Sequence, residues 1–94
     1  MNTTRPFPAA VGDVKLFATQ LKGKTVTTRD GQILGTLEEL LMDTRSGRIL
    51  NLLVAPAEGV EPRLFKTDAK KRLILPFSSL KSLRDVIVIE LEVP

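Results

Sequence analysis

The sequence contains no cysteine, histidine, tryptophan or tyrosine, so it lacks most of the side chains that carry chemistry at neutral pH. Without cysteine it can form no disulfide or thiolate metal site, and without histidine as well the usual zinc ligand sets cannot be assembled. The 94 residues suffice for one domain. With 43% hydrophobic and 27% charged residues, the composition is that of a globular chain and excludes the disordered, collagen-like and coiled-coil classes.

Long apolar runs are also missing. Met1–Asp13 holds two prolines and no apolar stretch of the kind found in signal peptides, and no run in the chain approaches about 18 apolar residues. We therefore expect a cytoplasmic protein with no direct membrane insertion. Residues 1–18 are expected to form an N-terminal tail or lead-in and residues 19–94 the domain, with a short helix over Asp13–Leu21 at the boundary.

From Lys24 onward, strand-forming segments alternate with turn signals. Thr25–Arg29 is rich in β-branched residues, Asp30-Gly31 is a strong two-residue hairpin signal, and Ile33–Thr44 follows as a long strand. A second turn at Asp43–Gly47 leads into a strand over Ile49–Ala55. The residues assigned to structural turns are Gly23, Asp30, Gly31, Gly35, Asp43 and Gly47.

The remaining segments complete an all-β chain. Pro56–Asp68 is predicted to be a long exposed connection, and Leu73–Phe77 an edge strand because it contains a proline. Ser78 is expected to cap a single helical turn that runs through Ser82, and Val86–Val93 to form the closing strand. The pattern predicts a small antiparallel sheet or barrel of about five or six strands with one short helical turn.

The central strands are apolar on both faces. A half-exposed antiparallel sheet would show cleaner alternation, and the inside of so small a barrel accommodates only one face of each strand. The surplus apolar face would be covered most commonly by a second subunit related by two-fold symmetry. Two interpretations, core row or protein interface, stay open for two sets of residues: Leu50, Leu52 and Val54, and Ile87, Ile89 and Leu91.

A second candidate surface is basic. The net charge is +3 and the sequence pI is about 9.6, and five basic residues follow one another in the second half of the chain: Arg63, Lys66, Lys70, Lys71 and Arg72. They are interpreted either as a solvated loop or as a contact for an acidic protein partner. Nucleic acid is disfavoured, because the chain has only four aromatic residues for stacking.

Two fragments imitate catalytic motifs. Gly23–Thr25 matches the end of a phosphate-binding loop, but that motif requires a glycine where this chain has Ala18. Ser78–Lys81 fits Ser-x-x-Lys but lacks the companion elements of that motif. The first fragment is better explained as the turn that enters a strand, and the second as a helix cap.

Paired carboxylates do not support catalysis either. Glu38 and Glu39 are neighbours on a strand and therefore point to opposite faces. Glu90 and Glu92 share a face, where they are more typical of a solvated strand edge than of an acid pair. We therefore expect no enzyme activity, no cofactor and no metal.

Six short motifs occur in a fixed order: Leu21-Lys22-Gly23-Lys24-x-Val26, Asp30-Gly31-x-x-Leu34-Gly35-x-Leu37, Met42-Asp43-x-x-x-Gly47-x-Ile49, Leu52-x-Val54, Leu75-Pro76-Phe77 and Val86-Ile87-Val88. In this order and spacing they resemble the PRC-barrel domain family, and the resemblance covers Leu21–Leu91. It implies a PRC-barrel fold in which the motifs specify turns and strand curvature rather than catalysis.

The resemblance also implies functions. Stand-alone PRC-barrel proteins of this length are typical of archaea, where some resemble cell-division adaptors that bind SepF, the membrane anchor of the FtsZ ring, and members of the family often form dimers. The chain would then be a homodimeric adaptor that binds SepF or another PRC-barrel protein and is recruited to the division site through its anchored partner. The alternative is an RNA-binding or ribosome-maturation module similar to the C-terminal barrel of RimM.

Overall fold

The computed structural model describes residues 19–91, which form a six-stranded sheet with two short 3-10 helices. In chain order the strands are β1 (Thr25–Thr28), β2 (Ile33–Met42), β3 (Ile49–Pro56), β4 (Leu73–Pro76), β5 (Leu80–Leu83) and β6 (Val86–Ile89). The 3-10 helices are Pro62–Leu64, between β3 and β4, and Phe77–Ser79, between β4 and β5. Within residues 19–91, no helix has the length and apolar character needed to cross a membrane.

The strands lie in the order β4-β3-β2-β1-β6-β5. The edges of a flat sheet of this width would be about 24 Å apart. The chain from Pro76 to Leu80, which joins the two edge strands, reaches at most about 14 Å. The sheet must therefore curl strongly, and the predicted small all-β fold is confirmed.

The sheet is mixed rather than wholly antiparallel, which corrects one detail of the prediction. β1 and β6 are parallel, whereas the other neighbouring pairs are antiparallel. The reason is that the chain crosses from β4, at one edge of the sheet, to β5, at the other edge. β6 then lies between β5 and β1 and runs in the same direction as β1.

The first hairpin has a longer loop than the sequence suggested. Residues 29–32 separate β1 from β2, and the Gly31 N–H donates to the Thr28 carbonyl at 3.0 Å. Gly31 has a φ of 89°, which supplies the left-handed residue that follows a type I turn in such loops. Asp30-Gly31 is therefore part of a turn, but not of a two-residue one.

The second hairpin is closed by Asp43. Its carboxylate accepts a hydrogen bond from the backbone N–H of Arg45 at 2.8 Å, and its carbonyl accepts one from the N–H of Gly47 at 2.8 Å. These bonds occupy Asp43 in the turn, so β2 ends at Met42 and not at Thr44.

At Gly35, β2 passes close to β3. Its φ is 155°, and a Cβ at this position would lie 1.9 Å from the carbonyl oxygen of Ala55 and 2.9 Å from Cγ1 of Val54. Opposite Gly35, the register between β1 and β2 shifts after Val26. Gly35 therefore allows both the close approach of two strands and the bend that a small curled sheet requires.

The core contains one row of side chains from each of several strands together with Leu21. Its members are Leu21, Val26, Leu34, Leu37, Leu52, Val54, Leu73, Leu75, Ile87 and Ile89. Burial of each such side chain is worth about 1.5–3 kcal/mol, so this cluster is the main source of stability. Residues 19–21 are helical and bring Leu21 into the core; the rest of the predicted helix over Asp13–Leu21 lies outside the described residues.

The helical turn predicted from Ser78 to Ser82 is wrong in extent. The helical residues are Phe77–Ser79, and Leu80–Leu83 is strand β5, which pairs with β6. Ser79 stabilises the turn, because its hydroxyl donates to the Pro76 carbonyl at 2.6 Å. The closing strand is also shorter than predicted and ends at Ile89.

Candidate protein interface

The β2–β3 hairpin extends beyond the rest of the sheet. β2 has 10 residues and β3 has 8, whereas each of the other strands has 4. β1 pairs with β2 only as far as Thr36, and the backbone of Leu37 bonds to Lys24 and Gly23. Beyond that point, no strand among residues 19–91 lies on this side of β2. We call residues 38–42 the free edge of β2.

Exposed leucines lie beside this free edge. Leu41 is 40% exposed and Leu50 is 51% exposed, and Met42 and Ile49 are half-buried. In the ladder Leu41 pairs with Asn51 and Met42 pairs with Ile49, so Leu50 is the extra residue of a bulge. Within residues 19–91, the end of the hairpin therefore presents apolar side chains next to backbone that pairs with no strand on this side.

The structure divides the predicted apolar interface into two parts. Four of its residues, Leu52, Val54, Ile87 and Ile89, are fully buried core residues, and Leu91 is half-buried against the core. Their side chains pack within the core of the single chain, which favours the core-row interpretation for these five residues. Only Leu50 of the predicted set is exposed at the hairpin end. Leu41, on the opposite strand, was not among the predicted residues, although the apolar character of both faces of β2 was the signal that could have found it.

Arg72 is held within the chain by three carboxylates. Its Nε donates to Asp68 at 2.7 Å, and its Nη1 lies 3.4 Å from Glu38 and 3.2 Å from Glu39. The prediction that the two glutamates point to opposite faces is therefore wrong, because the register shifts between Leu37 and Glu39 and the regular alternation of β2 is interrupted there. β3 lies between β4 and β2, so the Arg72 side chain must pass over β3 to reach the glutamates. It is only 15% exposed. Arg72 thus covers one face of the sheet and is already neutralised.

The same network orders the turn before β4. The carboxylate of Asp68 accepts from the backbone N–H groups of Lys70 and Arg72 at 2.9 and 2.8 Å. The N–H of Arg72, followed by its guanidinium and the N–H of Lys70, lowers the pKa of Asp68. In return, the hydrogen bond to Asp68 raises the pKa of Arg72. The ion pair between Asp68 and Arg72 therefore stabilises this turn.

The remaining predicted basic residues differ in whether they form an ion pair with an acidic residue of the described chain. Arg63 pairs with Glu61 at 3.3 Å. Lys66, Lys70 and Lys71 are exposed, and none of the three forms an ion pair within residues 19–91. Of the five candidate contacts for an acidic partner, these three lysines are available.

A polar cleft lies beside the 3-10 helix between β4 and β5. It has a volume of about 730 Å³ and is lined by Pro76, Ser78, Ser79, Lys81, Glu90 and Leu91. Lys81 is paired with Glu90 at 3.7 Å, and the Ser79 hydroxyl is bonded to the backbone. Among residues 19–91 no group of three or more potential metal ligands converges. Among the described residues that line the cleft, neither serine hydroxyl is hydrogen-bonded to Lys81 or Glu90.

A family model described as PRC-barrel domain matches residues 13–91. A solved structure of RimM from Pseudomonas aeruginosa, described as a 16S ribosomal RNA processing protein, is similar with a TM-score of 0.55 and 20% sequence identity. The similarity covers 80% of this chain but only 43% of the RimM chain, and at this identity it concerns the fold alone. No curated protein matches.

Proposed function

The chain belongs to the PRC-barrel domain family, and from this premise we propose that it is a non-enzymatic, protein-binding module that pairs with a second copy of itself through the free edge of β2. The observation that carries the proposal is the extended hairpin, in which unpaired backbone and the exposed leucines Leu41 and Leu50 lie together. An edge of this kind is a template for pairing with another strand.

A second copy is the occupant that the sequence of the edge favours. Proteins that must keep an edge strand unpaired place charged residues, especially lysine, or proline on it. Residues 38–42 contain no lysine or proline, and their two charged residues, Glu38 and Glu39, are paired with Arg72 of the same chain. Two such edges can pair antiparallel about a two-fold axis, with each copy giving and receiving the same contacts. The paired hairpins would continue the sheet from one copy into the other.

Both leucine burial and backbone pairing contribute to this interface. Burial of the exposed half of one leucine is worth about 1 kcal/mol, so loss of the four leucines of two copies would weaken a dimer by about 4 kcal/mol, or about a thousandfold in its dissociation constant. Backbone hydrogen bonds across the paired edges, at about 1 kcal/mol each, provide a second contribution of similar size. Loss of the leucines alone is therefore expected to weaken the dimer severely.

Light scattering coupled to size exclusion tests the proposal. The chain is expected to elute with twice its mass of 10.4 kDa, and the double variant Leu41→Ser with Leu50→Ser with the single mass. Ile33→Ser is the matched control, because Ile33 is 55% exposed on the same strand but outside the free edge. A wild-type chain that stays monomeric at high micromolar concentration would rule out the pairing.

The cellular setting of the proposal is archaeal cell division, with SepF or another PRC-barrel protein as the partner. Its support is the resemblance of this chain to the PRC-barrel domain family. The protein would be cytoplasmic and would reach the division site through its membrane-anchored partner. Co-purification from the native host tests this part: retention of SepF supports it, and a pull-down without SepF or a second PRC-barrel protein removes it.

An alternative function is RNA binding in ribosome maturation. It is favoured by the fold similarity to RimM and by the unpaired lysines Lys66, Lys70 and Lys71. RNA retention that falls steeply with salt, and that is weakened by Lys70→Ala with Lys71→Ala, would support this alternative. Failure to retain RNA at low salt would exclude it.

A further inference from the structure

An exposed leucine lies in the connection between β3 and β4, far along the chain from the free edge of β2. Leu64 ends the 3-10 helix Pro62–Leu64 and is 79% exposed, more than any other large apolar side chain described. The helix is held by hydrogen bonds from the Leu64 N–H to Glu61 and from the Phe65 N–H to Pro62, at 3.1 and 3.0 Å. Phe65 packs against the core. The side chain of Leu64 is thus exposed to solvent, while its backbone is held in place by these hydrogen bonds and by the packing of Phe65.

The residues that follow Leu64 form a two-stranded ribbon with the start of β4. Thr67 pairs with Leu73 in an antiparallel bridge, and the Ile74 N–H donates to the Lys66 carbonyl at 2.8 Å. The Asp68 N–H donates to the Arg72 carbonyl at 3.1 Å and closes the turn. We call residues 64–72 the basic ribbon: Leu64 and Lys66 are at one end, and Lys70 and Lys71 are at the turn.

The acidic residues of the described chain do not neutralise the lysines of the basic ribbon. Asp68 is bound by Arg72, which is in turn paired with the glutamates of β2. The three exposed lysines thus remain positive without a partner in the described chain. Lys71 has a φ of 63°, a left-handed conformation in which a lysine is strained and a glycine would not be.

We propose that the basic ribbon binds an acidic, extended protein segment that carries one large apolar side chain, with Leu64 as the apolar contact and the three lysines as the charge contacts. This inference rests on the proposed function as a protein-binding module and names the chemistry of its second partner. Leu64 supplies the only large apolar surface of the ribbon that is mostly exposed, and the charges select acidic partners over basic ones.

A protein segment fits this surface better than a bilayer does. Glu58 is exposed in the same connection and forms no ion pair within residues 19–91. This carboxylate lowers the attraction of the connection for an anionic membrane, whereas a narrow acidic segment can contact the lysines alone. RNA would find no stacking platform here, because Phe65, the aromatic residue of the ribbon, is packed against the core.

The test uses the full chain and a fluorescent synthetic peptide of Glu, Asp and Ser around one Phe. Binding is followed by anisotropy, with the Gln/Asn/Ser version of the peptide as the ligand control. We expect Lys70→Ser with Lys71→Ser to weaken binding about tenfold, and Leu64→Ser to weaken it by a similar factor. The matched control is Arg45→Ser with Arg84→Ser, which removes the same charge at exposed positions outside the ribbon and should leave affinity within about twofold.

Three results would overturn the proposal: no binding of the acidic peptide at low salt, equal weakening by the two double variants, or tighter binding of poly-uridine RNA or phosphatidylserine vesicles through the same lysines. The outcome is independent of dimerisation. Light scattering of the same samples reports the free edge of β2, so a monomer that binds the peptide contradicts only the pairing, and a dimer that does not bind it contradicts only this inference.

Discussion

Leu50 and Leu52 are two residues apart on β3, yet Leu52 is completely buried and Leu50 is 51% exposed. Leu52 pairs with Leu40 on one side and with Leu75 on the other, whereas Leu50 lies in a bulge beyond the last pair between β3 and β4. The core ends between these two residues. Apolar surface beyond that point is available to a partner.

The two leucines are therefore predicted to differ in what they stabilise. Leu52→Ala should lower the free energy of unfolding by about 2–5 kcal/mol, because it leaves a cavity in the core. Leu50→Ser should change the unfolding of the isolated chain by less than about 0.5 kcal/mol. Urea denaturation at dilute protein concentration measures both. A large decrease in the free energy of unfolding caused by Leu50→Ser would mean that Leu50 is part of the core.

Gly35→Ala is predicted to be strongly destabilising. The added methyl group would lie 1.9 Å from the Ala55 carbonyl oxygen, so β2 and β3 would have to separate, at a cost of more than about 3 kcal/mol. Gly31→Ala is the control, because it has a φ of 89° but meets no atom within 4 Å. It should cost only the backbone strain of about 1–2 kcal/mol. Equal effects in thermal melts would contradict the close approach at Gly35.

Lys71→Gly is predicted to stabilise the protein. At a φ of 63° lysine pays a conformational cost that glycine does not, and the gain is partly offset by the greater freedom of glycine in the unfolded chain. The expected net gain is about 0.5–1 kcal/mol. Lys70→Gly removes the same charge from the neighbouring position without relieving strain and should not stabilise. If both variants gain equally, charge rather than backbone strain is the cause.

Acid should weaken the fold in part through Asp68. Its pKa is lowered in the folded state, first by the Arg72 N–H, so its contribution to stability is present above the pKa of an unfolded aspartate, about 3.9, and is lost as the pH falls through the lower folded value. Asp68→Asn should therefore reduce the urea midpoint near neutral pH and have a smaller effect near pH 3. A difference from wild type that stays constant with pH would exclude this role.

The alternation of strand and turn signals was sufficient to predict a small all-β fold with two early hairpins. Asp30, Gly31, Asp43 and Gly47 have local chemistry that fixes a turn whatever surrounds it, so both hairpins lie where the sequence indicated. The parallel pairing of β1 with β6 depends on contacts between residues about sixty positions apart, which turn chemistry does not encode.

The exposed apolar surface was harder to predict than the fold. Leu50, Leu52 and Val54 form an alternating apolar row, and the sequence pattern is the same whether the whole row is buried or its end is exposed. The lengths of the neighbouring strands determine which of these residues are buried. Arg72 likewise belongs to a basic cluster in the sequence but reaches across β3 to the glutamates of β2 in the fold. Both outcomes depend on which strands become neighbours.

The most direct test of pairing through the free edge of β2 uses the absence of cysteine from the chain. A single Leu41→Cys substitution, treated with a short bis-maleimide, should yield a covalent dimer as the main product. Ile33→Cys, at the exposed opposite end of the same strand, should give only background cross-linking. Equal yields from the two variants, or no dimer from Leu41→Cys, would contradict the proposed interface.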